Sequence, residues 1–371
     1  MKLRVGVIYG GRSGEHEISL RSARTVIEQI DKDKYEVVPI AINRAGGWLS
    51  PAASLDLLPD PTREISIERF GEPITDEITL AADTTLRGLE TSGGGQVPLD
   101  VVFPVLHGTY GEDGTIQGLF EMADIPYVGC GVLASACGMD KTVMKTLFRD
   151  AGLPICKHIW FLRSEFDTNA EAVVGQVARQ MGFPCFVKPA NLGSSVGVSR
   201  ATDEASLKEA IALAAEYDRK ILVEEALEMR EIECAVIGND QPRASSPGEY
   251  LIRDQSKAFL DYTEKYSGTG NNEFVVPAPI SAELTEKIKS MAIRAFKAVD
   301  GSGLARVDFF LRNDNGELLV NEINTMPGLT DASGFPKMWA GSGMSFPEVI
   351  DYLIESAIDR HRDKSRNKTS R

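Results

Sequence analysis

Two carboxylates in this sequence fall where a cation would be needed between them. The stretch Ala305-Arg306-Val307-Asp308-Phe309-Phe310, then Asn313-Asp314-Asn315-Gly316, then Leu318-Leu319-Val320-Asn321-Glu322-Ile323-Asn324 reads as a hairpin. Its turn chemistry predicts a three-residue loop over 314–316 with Gly316 in the left-handed conformation. In that register Asn313 faces Glu317, so Asp308 faces Glu322 and Arg306 faces Asn324. Like charges directly opposite each other are destabilising unless something positive lies between them. An Asp, a Glu and an Asn converging on one point are hard oxygen donors suited to Mg²⁺, which usually brings substrate phosphates with it.

A second candidate is the lysine in Phe186-Val187-Lys188-Pro189-Ala190-Asn191-Leu192-Gly193-Ser194-Ser195-Val196-Gly197-Val198, set on an apolar strand just before a small-residue loop. A lysine buried without a partner is expensive. A nucleotide phosphate would repay that desolvation, with loop N–H groups folded over the other oxygens. No Gly is followed by Lys, so a P-loop is excluded, and Gly10-Gly11-Arg12-Ser13-Gly14 is not G-x-G-x-x-G. A nucleotide site must therefore be built another way. The same residues also fit blander readings: a lysine snorkelling beside a flexible turn, an exposed hairpin of ordinary charges, and a strand–helix turn capped by Glu15.

These groups need elements to carry them. Residues 3–9 read as a strand, 10–14 as a turn, 15–30 as a helix and 35–42 as a second strand, the start of a parallel sheet. Residues 44–98, with Ser92-Gly93-Gly94-Gly95, read as an insertion of short elements and loop. The apolar run 99–106 suits a buried strand and ends in His107-Gly108-Thr109-Tyr110-Gly111-Glu112-Asp113-Gly114-Thr115, at the strand end where such sheets bind ligands. A helix over 140–151 with Gly152 and Pro154 behind it marks a boundary near 140. Strands follow at 185–189, 221–225 and 231–237, helices at 205–217 and 282–299, and a polar loop at 261–273. The basic tail after Arg360 reads as a frayed, solvated end.

Composition bounds what these elements can serve. With 371 residues, 43% apolar and 25% charged, the chain is globular and long enough for two or three domains. Its net charge of −14 repels nucleic acid and anionic membranes. The longest apolar runs are far shorter than the ~20 residues of a membrane span, and the N-terminus reads as a strand, not a leader. Five cysteines without a C-x-x-C pair suggest neither a disulfide frame nor a zinc site, and a reducing cytoplasm is expected.

Taken together, the lysine strand with its Gly/Ser loop, Val223-Glu224-Glu225 and Arg306-x-Asp308…Glu322-x-Asn324 resemble the ATP-grasp ligases. Within them the resemblance is to the D-alanine–D-alanine ligase family. It is carried by Gly10-Gly11-x-Ser13-x-Glu15-His16-x-Ile18-Ser19, His107-Gly108-x-x-Gly111-Glu112-Asp113-Gly114-Thr115-Ile116-Gln117-Gly118, Lys188-Pro189 with Gly193-Ser194-Ser195-x-Gly197, and Asn324-Thr325-Met326-Pro327-Gly328. The motifs occur in the family's order across residues 5 to about 350. The resemblance implies an α/β ATP-grasp fold: an N-terminal doubly wound parallel-sheet domain (1–139, with the 44–98 insertion), a central lid domain (140–226) and a C-terminal mixed-sheet domain (227–371).

It also implies a reaction and its residues. ATP phosphorylates one D-alanine, and the amine of a second D-alanine attacks the acyl phosphate. Lys141, Lys188 and the flap residue Lys265 match phosphate contacts, with Ser195 in the phosphate loop. Asp308, Glu322 and Asn324 match ligands of two Mg²⁺ ions, with Mn²⁺ an alternative. Glu15, Ser194 and Tyr266 resemble a triad around the first D-alanine, and His107 lies at the same subsite. Arg306 and the N–H of Gly328 resemble an oxyanion hole; Ser333 and Gly334 fall at the second D-alanine. Glu224, Glu225, Ala226, Leu227 and Glu231 resemble adenine and ribose contacts. Gly334 stands where the family commonly has a bulkier apolar residue, and Glu225 where a basic one is frequent. The Lys265-Tyr266 pair resembles that of dipeptide-forming members, which favours D-alanine over D-lactate as second substrate. A homodimer is expected.

Overall fold

The computed structural model describes residues 2–58, 78–80, 84–85, 88–193, 195–252 and 272–368. Near-continuous apolar runs give strands Leu3–Gly10, Tyr35–Ile42 and Val101–Val105, which pair in parallel with Leu3–Gly10 in the centre. Such strands need cover on both faces. Val5, Val7 and Tyr9 point into one core, and Ile8 with Val38 and Ile40 into another. The second core is closed by helix Thr115–Met122 and by a small antiparallel sheet of Ile78–Leu80, Gly88–Thr91 and Gln96–Pro98. These are the short elements expected of the 44–98 segment. The first core takes helix His16–Gln29 and, from the far end of the chain, Phe335, Met338, Trp339, Val349 and Leu353. The N-terminal sheet is thus completed by C-terminal helices.

The central sheet runs in the order His158–Leu162, Lys220–Glu225, Cys185–Pro189, Ser199–Ala201, antiparallel throughout. Strand alternation divides it cleanly. Cys185, Val187, Ile221 and Val223 pack on Val173, Val177, Leu207 and Ile211 of helices Ala170–Gln180 and Glu204–Tyr217. Lys188 and Glu224, one residue out of phase, therefore share the opposite face.

The larger sheet orders Asn272–Val275, Gly248–Ile252, Met229–Gly238, Gly303–Arg312 and Leu318–Asn324, with Arg243–Ala244 beside Met229–Gly238. Expected to be mixed, it is antiparallel in every described ladder; the one parallel link is the isolated bridge Ile155–Val320 at its edge. Ala305, Val307 and Phe309 pack with Ile288, Ala292 and Phe296 of helix Ala282–Ala298, which leaves Arg306, Asp308 and Phe310 on the other face.

Two expectations are corrected here. The hairpin loop has four residues, 313–316: the N–H of Arg312 donates to Glu317 O at 2.9 Å, while Gly316 has φ +71° as expected. This register is one residue out from the expected one, and it pairs Phe309 with Val320. A β-bulge at Asn321 then restores Asp308 opposite Glu322 and Arg306 opposite Asn324. The bulge also flips the strand's facing. Leu318 and Val320 are core residues before it and Ile323 after it, so Glu322 and Asn324 leave the core. The second correction concerns the tail. Helix Phe346–Lys364 continues past Arg360, whose guanidinium donates to Tyr127 O at 2.8 Å, Ser302 Oγ at 2.5 Å and Gly129 O. His361 lies 2.9 Å from Asp124, and Lys364 pairs with Glu121. Acceptors along 121–129 thus order His361 and Lys364, while Arg362, Arg366 and Lys368 stay exposed, as expected. Among the described residues no helix is long and apolar enough to cross a membrane.

Candidate active site

Two clefts meet between the sheets and share Gly193, Ser195, Glu233 and Glu322. The first has Phe186, Leu227, Met229 and Phe310 as apolar walls and Lys141, Lys188, Glu224, Glu225, Glu231 and Asp308 in its charged lining. Ser195, at φ +56°, turns the small-residue loop over both clefts. Ala226, beside this lining, donates its N–H to Pro184 O at 3.4 Å.

At the heart of the first cleft a single carboxylate serves two lysines. Glu224 lies 2.6 Å from Lys145 through one oxygen and 2.6 Å from Lys188 through the other. The side chains of Lys145 and Glu224 are 1% and 4% exposed. Burial alone would raise the carboxyl's pKa, but the two ammonium groups outweigh it and hold Glu224 well below the usual carboxylate range. Burial opposes the charge on Lys188 as well, yet Glu224, aided by Glu322, pushes its pKa above the ordinary lysine range. Expected as an adenine contact, Glu224 is placed as the shared counter-ion of this cluster. Lys145 was not among the residues expected from sequence. The available signal was its place one helical turn after Lys141 on helix Lys141–Asp150, capped by Asp140. Lys141 itself lies 3.3 Å from Glu322 and donates to Leu192 O at 3.0 Å. Glu225, the departure from the family's basic residue, accepts from the Lys157 N–H at 2.8 Å and faces Arg312 at 3.9 Å.

Where the clefts join, Glu233, Asp308 and Glu322 sit side by side on three adjacent strands. Arg306 clamps both oxygens of Asp308 at 2.7 Å and lies 3.5 Å from Glu233; Asn324 Nδ2 donates to Asp308 at 3.0 Å. Glu233 is also absent from the sequence expectation, although it is two residues from Glu231 and so on the same strand face. Asp308, Glu322 and Asn324 offer oxygen donors on one face, which fits a hard divalent cation. Among the described residues no cluster of three His, Cys, Asp or Glu could hold a metal by itself.

The second cleft is lined by Glu15, His107, Glu112, Arg306, Asn324, Gly328, Ser333 and Gly334. Glu15 precedes helix His16–Gln29 without capping it through its side chain. The carboxylate lies against Gly108 instead, where a Cβ would come within 2.5 Å of it, and φ at Gly108 is +73°. Buried His107 bonds Met326 O and Ser22 Oγ, each at 3.0 Å, and lies 3.6 Å from Glu112. Ser22 Oγ also accepts the Leu329 N–H at 3.3 Å. These contacts hold the strap that carries Gly328. Burial disfavours the charged imidazole, but the bond to Glu112 and the charges of Glu112 and Glu15 raise its pKa. The Glu112 carboxyl is raised too, by burial first, with His107 opposing and Glu15 adding to the rise. Ser333 shares a 2.7 Å hydrogen bond with Thr330.

Family models match the two halves of the chain: "D-ala D-ala ligase N-terminus" over residues 4–130 and "D-ala D-ala ligase C-terminus" over residues 147–355. The chain belongs to the D-alanine–D-alanine ligase family. It is 48% identical to the D-alanine–D-alanine ligase of Ruminiclostridium cellulolyticum and 45% to that of Heliobacterium modesticaldum, with 100% of this chain and 99% of each relative covered. Among solved structures it resembles the D-alanine–D-alanine ligase of Coxiella burnetii (TM-score 0.81, 36% identity, 98% of both chains covered). The VanG D-Ala:D-Ser ligase of Enterococcus faecalis is similarly close (TM-score 0.82, 35% identity, 96% of this chain and 100% of that one). The architecture is the ATP-grasp fold. Against this family Gly334 has a local cause in this chain, since a Cβ there would meet Glu233 Oε2 at 2.6 Å and the Phe274 ring at 2.8 Å. Ser194, Lys265 and Tyr266 lie outside the described residues.

Proposed function

We propose that this chain joins two D-alanines, with ATP cleaved to ADP and phosphate, to give D-alanyl-D-alanine for peptidoglycan precursors. The observation that carries this reading is the meeting of a lysine-rich, apolar-walled cleft with a second cleft headed by Glu15, at Arg306 and the Glu233–Asp308–Glu322 row. A carboxylate and a terminal phosphate repel each other, so catalysis has to begin with charge neutralisation. Lys141 and Lys188, joined by Lys265, hold the phosphates, with Ser195 in the loop over them and Glu224 as the counter-ion of Lys188; Glu225, Ala226, Leu227 and Glu231 serve the rest of the nucleotide. Asp308, Glu322 and Asn324 would hold two Mg²⁺ ions, or Mn²⁺, which when bound neutralise the phosphate oxygens.

Glu15, with Ser194 and Tyr266, holds the ammonium of the first D-alanine beside His107. An oxygen of its carboxylate attacks the γ-phosphorus and ADP leaves. The second D-alanine, its carboxylate at Ser333 and Gly334, gives one ammonium proton to solvent and attacks the acyl carbon through nitrogen, and a second N–H proton leaves with the phosphate. Arg306 and the Gly328 N–H stabilise the oxyanion until phosphate departs. Acyl phosphates hydrolyse, so the site has to exclude water during turnover. Units at 1–139, 140–226 and 227–371, a homodimer and a cytoplasmic site of action belong to the same proposal. The test is phosphate release from ATP and Mg²⁺ with D-alanine, L-alanine, or D-alanine plus D-serine or D-lactate, with products identified by mass. D-Alanyl-D-alanine from D-alanine alone is expected; ATP binding without dipeptide overturns the substrate assignment.

A further inference from the structure

We infer that Lys145 is a positioning residue for the cation ligands: it grips the bulge that turns Glu322 and Asn324 out of the core. The inference rests on the proposed role of Asp308, Glu322 and Asn324. Strand Leu318–Asn324 is the edge of its sheet, so its outward backbone groups need partners. Helix Lys141–Asp150 supplies them. Lys145 Nζ donates to the carbonyl of Asn321, the bulged residue, at 3.1 Å, and Met144 Sδ accepts the Ile323 N–H at 3.4 Å. One turn back, Lys141 reaches Glu322. Residues 141, 144 and 145 fall on one helix face, so a single rigid element reads the bulge at three successive positions.

The grip matters because facing in a strand has period 2. With a regular ladder through Asn321, Glu322 would share the inward face of Leu318 and Val320. The opposite oxygen of the network explains why a lysine does this. Glu224 holds the ammonium from the other side.

Removing Lys145 alone would leave the buried Glu224 carboxylate with Lys188 as its single cation, so the comparison is between Glu224→Gln and Lys145→Met/Glu224→Gln. Mn²⁺ binding is measured by electron paramagnetic resonance at saturating non-hydrolysable ATP analogue, with thermal unfolding recorded for each protein. Both variants share the altered Glu224, so their difference reports Lys145. Mn²⁺ affinity should fall about tenfold or more in the double variant relative to Glu224→Gln, the scale expected when support behind metal ligands is lost. Lys145→Arg/Glu224→Gln, which keeps a donor for Asn321, should recover most of it. Met144→Leu, a volume-conserving change that removes only the Ile323 acceptor, should weaken Mn²⁺ in the same direction by less, and it keeps the test alive if the double variant does not fold. Equal affinity in Glu224→Gln and the folded double variant overturns the inference, as does an unchanged affinity in Met144→Leu should that be the only folded variant. A wild-type protein that binds the analogue but no Mn²⁺ overturns the cation reading itself.

Discussion

Glu224 and Glu112 are both buried carboxylates beside a cation, yet their proton affinities move in opposite directions. Glu224 has an ammonium on each oxygen, whereas Glu112 shares one imidazole with the nearby charge of Glu15. The count of cations per carboxylate decides which side wins. At the nucleotide end the charge is locked: with its pKa depressed, Glu224 adds stability above the unfolded carboxylate value near ~4.3, and loses it only as pH falls below that. At the amino-acid end the charge can move. His107, its pKa raised, stabilises the fold below its unfolded value near ~6.5, and this contribution disappears as pH rises through the folded value. Glu112 has the opposite sign, its ionisation opposing the fold as pH climbs above the ordinary carboxylate range.

The largest break in this contrast is Lys145→Met, which leaves Glu224 with one cation. A loss of about 3–5 kcal/mol is expected in denaturant unfolding, with much of it restored in Lys145→Met/Glu224→Gln. A single variant as stable as wild type would show that the cluster is not locked. Next comes Glu112→Gln. It should move the His107 titration, followed by its NMR imidazole signals, to lower pH; an unmoved titration removes Glu112 as the cause of the raised imidazole. Gly108→Ala acts only at the amino-acid end, through a positive φ and a Cβ 2.5 Å from Glu15. Strain of about 1–2 kcal/mol should appear as a KM for D-alanine raised roughly tenfold, with KM for ATP little changed in steady-state kinetics. The smallest effect sharpens the contrast by showing what an exposed pair is worth. Lys208→Ala breaks a surface bridge to Glu171 and should change stability by under ~0.5 kcal/mol in the same unfolding assay.

Much of this molecule was legible in its residues, though not always for the right reason. Asp308 does face Glu322, but the loop is a residue longer than its turn chemistry suggests, and a bulge at Asn321 makes up the difference. A period-2 argument assumes an unbroken ladder, so it cannot see a bulge; the core positions Leu318, Val320 and Ile323 were the trace it left. Lys145 was hidden because a lysine on an amphipathic helix looks like surface until the strand it reaches is known. Glu233 was hidden by pairing across strands distant in sequence. The tail misled in part: His361 and Lys364 find Asp124 and Glu121 more than two hundred positions away, while Arg362 and Arg366 stay exposed as expected. The parallel sheet and the Lys188 strand were readable because they depend on local apolar pattern alone.

The central claim is that the two clefts serve one reaction, in which the amino acid's carboxylate attacks the nucleotide's terminal phosphate. Turnover with D-alanine carrying ¹⁸O in its carboxylate tests this most directly, since an acyl phosphate sends one carboxylate oxygen into the phosphate released. The account requires one ¹⁸O in inorganic phosphate for each D-alanyl-D-alanine formed. Dipeptide made with ¹⁸O-free phosphate would contradict it.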